Sequence, residues 1–283
     1  MVPVLSSENS LTTFGTLAGE HPFETPPGPN LCATRQLRGA TAAATCQPAG
    51  MTLLLLHGLG ATRRVWDHWP VGDPGVLAPD LPGHGTAEPL DHYSFESIAA
   101  AVAAGLPDDA GELDVVGHSL GGVIALELAS GRYGVQVAKV VALGVKVSWS
   151  DDDLARTAAL AAKPVAWFDQ REDAAQRYLK VSGLQGLVDP ASDAVDHGLV
   201  QHDGRWRLAL DPRAFGVGAP NLPRLLREAY ATVTMVRGEL DPMNTDAELA
   251  ALHDRTVTLP GLGHNAHVQD PSALDHVDGQ AAP

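Results

Sequence analysis

The segment Leu113-Asp114-Val115-Val116-Gly117-His118-Ser119-Leu120-Gly121-Gly122 constrains this chain more than any other. An apolar run with strand character feeds a Gly-x-Ser-x-Gly turn, and an apolar helix, Leu120 to Ser130, follows at once. A sharp strand-to-helix elbow satisfies all three pieces. Gly117 and Gly121 let the backbone bend tightly and let the new helix press against neighbouring strands. A serine at such an elbow is presented for nucleophilic attack, which its hydroxyl performs poorly without a nearby base. The helix start adds backbone N–H groups and a positive dipole end where negative charge would develop. The pentapeptide alone is a weak signal, but here strand and helix flank it on the correct sides.

The rest of the chain alternates in the same way. Met51 to Leu56 reads as a buried strand, Val65 to Trp69 as a short helix ended by Pro70, and Gly75 to Ala78 as a strand. Phe95 to Leu106 is a helix capped by Ser94 and stopped before Pro107, and Leu113 to Val116 is the strand before the elbow. Thr41 to Cys46 is a weaker strand candidate. Strands alternating with helices predict an α/β fold, a mostly parallel central sheet with helices on both faces. After the strand Val137 to Val145 the pattern changes. Ser150 and the acids that follow it start a helix running to about Lys163, a second helix spans Arg171 to Val181, and Leu199 to Leu208 reads as a hairpin turning at Asp203-Gly204. The sheet pattern resumes with Thr232 to Val236 and Thr256 to Leu259. The expected organisation is therefore a leader over residues 1–36, a core over 37–147 and 229–275, an inserted, mainly helical lid over 148–228, and a polar tail over 276–283. The leader is rich in Pro, Gly, Ser and Thr and is expected to be extended or disordered. No internal repeat is found.

Charge and composition exclude several roles. With 19 Lys and Arg against 34 Asp and Glu, the net charge of −15 opposes binding to nucleic acid or to an anionic membrane surface. No apolar run approaches the ~20 residues that span a bilayer, and no signal segment opens the chain, so a cytoplasmic protein is expected. Cys32 and Cys46 form no disulfide framework and are read as free thiols.

A serine nucleophile needs a histidine to take its proton and an acid to hold that histidine's tautomer. Asp241 sits in Val236-Arg237-Gly238-Glu239-Leu240-Asp241-Pro242, just past a strand, and His264 in Gly261-Leu262-Gly263-His264-Asn265, past the last one. Strand ends of this kind are where open parallel sheets bind ligands. Glu239 is the local rival for the acid. His264 and His267 make a His-x-x-His pair, but with no third ligand nearby a metal is not expected, and His267 is read as structural. His21, His197 and His202 are read as solvated, and His84 and His118 flank the motifs with no proton to move. In Leu56-His57-Gly58-Leu59-Gly60 the glycines let the backbone aim an N–H inward, so the amides of Leu59 and Leu120 are the expected oxyanion donors, with Gly60 the alternative to Leu59. His57 is expected to orient this loop. The loop lacks Gly-x-Gly-x-x-Gly spacing and a Walker lysine, which argues against a dinucleotide or phosphate site.

These motifs, with Pro79-Asp80-Leu81-Pro82-Gly83-His84-Gly85 between them, together resemble the α/β-hydrolase superfamily over roughly residues 38–275. The resemblance implies a helical lid after the sixth strand, and Ser119, Asp241 and His264 as nucleophile, acid and base. Serine rather than aspartate at the elbow argues against the dehalogenase and epoxide-hydrolase branches. The short, alanine-rich Arg38 to Thr45 departs from the full hairpin usual there.

Trp66, Trp149, Trp167 and Phe168, with Gly60, are candidates for lining a substrate pocket. Ten of the 19 basic residues fall in the expected lid, but twelve acids accompany them. The expected function is hydrolysis of a small carboxylic ester, lactone or thioester through an acyl-enzyme at Ser119, with a small-molecule substrate and no cofactor. The alternatives are a carbon–carbon bond hydrolase or lyase-like enzyme using the same triad for proton transfer, and a non-catalytic ligand-binding scaffold.

Overall fold

A computed structural model describes residues 50–274 and residue 277. The chain divides into two units between Thr45 and Cys46, and the described residues all belong to the second. The leader, the candidate strand Thr41 to Cys46, both cysteines, His21 and all of the tail but Val277 lie outside the described residues.

Six strands form one parallel sheet: β1 (Thr52–Leu56), β2 (Val76–Leu77), β3 (Glu112–His118), β4 (Gln136–Leu143), and two that come after the inserted region, Thr232–Gly238 and Thr256–Leu259. In space β1 lies between β2 and β3, and β4 links β3 to Thr232–Gly238, with Thr256–Leu259 at the edge. Side chains alternate across a strand, and the sequence loads both faces. Leu54, Leu56, Val115, Val140, Ala142 and Met235 enter one apolar cluster, while Leu55, Val116, Leu143, Val236 and Leu259 enter the other. A sheet buried on both sides is what near-continuous apolar strands require.

Helix α1 (Phe95–Ala104) begins in the capping box of Ser94 and Ser97 and contributes Ile98, Ala99 and Val102 to the first cluster. Helix α2 (Leu120–Leu128) is buried along its whole length, Glu127 included. That carboxylate is held by Arg132 at 2.6 Å and by Arg224 at 2.9 Å, the pairing a buried charge needs. Among the described residues no helix is long and apolar enough to cross a membrane.

Between β4 and the next sheet strand come α3 (Asp151–Ala161), α4 (Arg171–Ser182), a short α5 (Asp193–Asp196), the hairpin β5 (Leu199–His202) and β6 (Arg205–Leu208), a 3-10 turn Pro212–Val217, and α6 (Leu222–Glu228). The hairpin turns where expected, with Asp203 at φ 49° and Gly204 at φ 75°, the left-handed pair of a type I′ turn. The sheet then resumes as β7 (Thr232–Gly238), α7 (Asp246–Leu252), β8 (Thr256–Leu259) and α8 (Ala266–Gln269).

Three local expectations are corrected. The helix expected over Val65 to Trp69 is a 3-10 turn, Arg63–Trp66, and the strand Gly75 to Ala78 pairs only over Val76–Leu77. Pro70 and Pro74 bracket that region and remove backbone donors on each side. The helices α5 to α8 are additions to the expected pattern, because their apolar spacing is short or interrupted.

Candidate active site

Ser119 sits at φ 51° and ψ −111°, a backbone conformation that L-residues adopt at a cost. The turn tolerates no side chains around it. A Cβ on Gly117 would strike the backbone of Gly121, and one on Gly121 would strike the carbonyl of Leu56. The Ser119 amide donates to Leu143 O at 2.8 Å, tying the elbow to the end of β4.

The next residue after β4, Gly144, brings the other two groups in. At φ +64° it passes so close that a Cβ there would lie 3.2 Å from both Asp241 Oδ2 and His264 Nδ1. His264 Nδ1–H donates to Asp241 Oδ2 across 3.0 Å, and the Asp241 side chain is fully buried. Its other oxygen accepts the Met243 amide at 2.9 Å. Glu239, the rival acid, turns elsewhere: its carboxylate accepts the Gly261 amide at 2.8 Å and braces the loop before His264. Arg237, which the sequence motifs do not flag, is buried beneath this loop. Its guanidinium donates to the carbonyls of Glu239 and Asp241 and to Asn244 and Asp246, so it fixes the backbone that carries the acid. A lone arginine inside a buried strand is the signal that points to it.

Across the site, a Cβ on Gly58 would lie 3.3 Å from Ser119 Cβ, so the loop after β1 faces Ser119. Among the described residues the amides of Leu59, Gly60 and Leu120 have no protein acceptor. His57 holds the loop's shape. Its Nε2 accepts the Leu81 amide at 2.8 Å, which leaves Nδ1–H to donate to Gly58 O at 2.8 Å. Burial pushes its pKa down, consistent with that neutral tautomer.

Of two further histidines, His118 gains a role the sequence does not give it, and His197 departs from its expected solvation. His118 Nε2–H donates to the carbonyl of His264 at 3.0 Å, and its ring lies 4.6 Å from that of His264. Burial, then repulsion from His267 and His264, keeps His118 neutral. His197 is not solvated: from the end of α5 its Nε2 meets Asp80 Oδ2 at 2.8 Å. His267 is fully buried, its pKa driven to about 3 by burial, against Trp66 at 4.5 Å and His118 at 4.4 Å.

That packing corrects the expectation for Trp66, which is fully buried in the second core cluster. Phe168 likewise packs on this cluster, its backbone bridged to Trp206. Trp149 is half-buried and bonds Lys146 O at 3.2 Å, while Trp167 does line a surface cavity, beside Arg207. Among the described residues no group of three or more His, Cys, Asp or Glu is placed to hold a metal.

The model of the alpha/beta hydrolase family matches residues 53–275. Lipase LipV of Mycobacterium tuberculosis is 31% identical over 169 residues, 56% of this chain and 62% of that protein. The chain thus spans less than two-thirds of that relative's length. Esterase Rv0045c of Mycobacterium tuberculosis is 29% identical over 83% of this chain and 84% of its own, and its crystal structure superposes with a TM-score of 0.60 at 27% identity, covering 79% of this chain and 80% of that one. The thioesterase domain from the curacin biosynthetic pathway shares the fold, with a TM-score of 0.63, 22% identity and coverage of 81% and 90%.

Proposed function

The chain belongs to the alpha/beta hydrolase family, and from that premise we propose that it is a serine hydrolase of small carboxylic esters, lactones or thioesters. The observation that carries the reading is the 3.0 Å contact between His264 Nδ1 and buried Asp241. With Nδ1–H committed to the carboxylate, Nε2 is the free base on the ring. Ser119 Oγ attacks the substrate carbonyl and gives its proton to His264 Nε2. The amides of Leu59 and Leu120 receive the oxyanion, Gly60 being the alternative to Leu59. Collapse breaks the bond to the leaving alcohol or thiol, which takes the proton from His264. Water, deprotonated by the same nitrogen, then releases the acid and restores Ser119. The lipase and esterase named above support the ester class.

A fluorophosphonate probe followed by intact mass tests this directly. One adduct mapped to Ser119, absent from Ser119→Ala and strongly slowed in His264→Ala, is expected. An unlabelled wild type would leave the ligand-binding scaffold, and labelling with carbon–carbon cleavage but no ester turnover would favour the alternative chemistry.

A further inference from the structure

A narrow cavity of about 90 Å³ lies between the α3–α4 connection and the hairpin, lined by Val165, Val181, Leu210 and Phe215 and by two cations, Lys163 and Arg177. No carboxylate lines it. Among the described residues neither cation has an acidic partner. It adjoins a second cavity that shares Val165, Leu210 and Pro212 and is lined by Arg207. The one acid there, Asp211, already holds Arg213 at 2.7 Å and the Tyr93 hydroxyl at 3.0 Å. In a chain of net charge −15, two cations on one cavity whose lining holds no carboxylate are a local inversion of sign.

One wall residue of this cavity, Val181, also packs against the loop after β1. Val181 Cγ1 stands 2.6 Å from where a Cβ on Gly60 would be, and Gly60 follows Leu59 directly. Asn265, next to His264, donates to Gly183 O at 3.0 Å and so clamps the same end of α4. Arg177 and Val181 are four apart on α4, so they share a face and Arg177 lies about one turn, ~5 Å, farther out. Along α4 the cavity wall is therefore apolar beside the oxyanion loop and cationic one turn away. The cavity's volume is below the ~150 Å³ of a cavity that holds benzene, which suits a single unbranched chain.

We propose that this cavity selects esters bearing an unbranched aliphatic arm that ends in a carboxylate, with Lys163 and Arg177 receiving the anion. The proposal rests on the hydrolase reading and names its substrate class. Half-methyl esters of linear dicarboxylic acids place the anion on the acyl arm, and acetate esters of ω-hydroxy acids place it on the alcohol arm. Each series is compared with its neutral methyl-capped counterpart of equal length. In one of the two, kcat/KM should favour the anionic member by about tenfold or more at low ionic strength, and that ratio should fall as salt screens the exposed pair. In the double variant Lys163→Gln/Arg177→Gln it should fall toward one, whereas Arg156→Gln, on exposed α3 and outside the cavity lining, should leave it in place. Equal kcat/KM for charged and neutral esters in both series, or a preference indifferent to the double variant, overturns the proposal while leaving the hydrolase reading intact. Should no ester be turned over, calorimetric binding of a linear dicarboxylate half-ester to Ser119→Ala decides the matter. Binding that the double variant weakens supports the cavity's role, and no difference overturns it.

Discussion

On the proposed mechanism Ser119 carries two demands at once, a hydroxyl that must point at substrate and a backbone held at φ 51° to point it there. Holding an L-residue in such a region costs on the order of 1 kcal/mol or more, and glycine relieves it. Ser119→Gly should therefore melt at a higher temperature than Ser119→Ala, and equal melting would show that the elbow is unstrained. On activity the two should be alike. Ser119→Ala and His264→Ala should each remove about 10⁴-fold of turnover or more, and the double variant should be little worse, because the two residues act in one step. Additive losses in kcat/KM would argue for separate roles. Asp241→Asn should be severe and Glu239→Gln mild, since only the former touches His264. The sequence places these side chains at strand ends but leaves Asp241 and Glu239 unresolved, because a two-residue offset in a turn is settled by which carbonyls the backbone exposes. His118 is not legible as a support, and Arg237 shows only as a lone arginine in a buried strand, for the same reason. The contacts by which they brace the site are to backbone atoms of His264, Glu239 and Asp241, and backbone acceptors leave no mark on a sequence.

At the scale of elements, the strands and the elbow are legible because apolar runs and glycine spacing are local. The insertion is less so. Its sequence suggests one mobile lid, yet its two long helices differ in kind. Helix α3 has no buried residue, whereas α4 buries Ala174, Ala175, Tyr178, Leu179 and Ser182. Amide exchange should accordingly be fast along α3 and slow along α4, and equal protection of both would contradict this division. A further tie comes from Asp80, which receives the amides of Arg63 and Thr86 and the His197 imidazole from α5. Burial alone would raise its pKa, but these hydrogen bonds outweigh it and bring the value to about 2, below the ordinary 3.8. A depressed carboxylate stabilises the fold above its unfolded value and loses that contribution as pH falls toward the folded one. Between about pH 4 and 2 the wild type should thus lose on the order of 1 kcal/mol, discounted for partial solvent screening. Asp80→Asn should lack that acid-side step in melting temperature. A variant that tracks the wild type across this window would remove Asp80 from the account.

Taken whole, the molecule draws its candidate site from five strand ends, the loop after β1 among them. Ser119 follows β3, Gly144 follows β4, Asp241 follows β7 and His264 follows β8, and these strands lie side by side in the sheet. Every pairing among them is parallel, so each needs a crossover and none can form as a local hairpin. The contact between His118 and the His264 carbonyl closes a span of 146 residues. Contacts that distant are gained late, after loop-closure entropy has been met by the rest of the chain. A ribosome-bound chain halted before its last strand would hold a finished elbow and no base, inert however well its first half had folded. On the proposed mechanism, turnover is thereby a readout of completed folding, and a partly assembled sheet hydrolyses nothing prematurely.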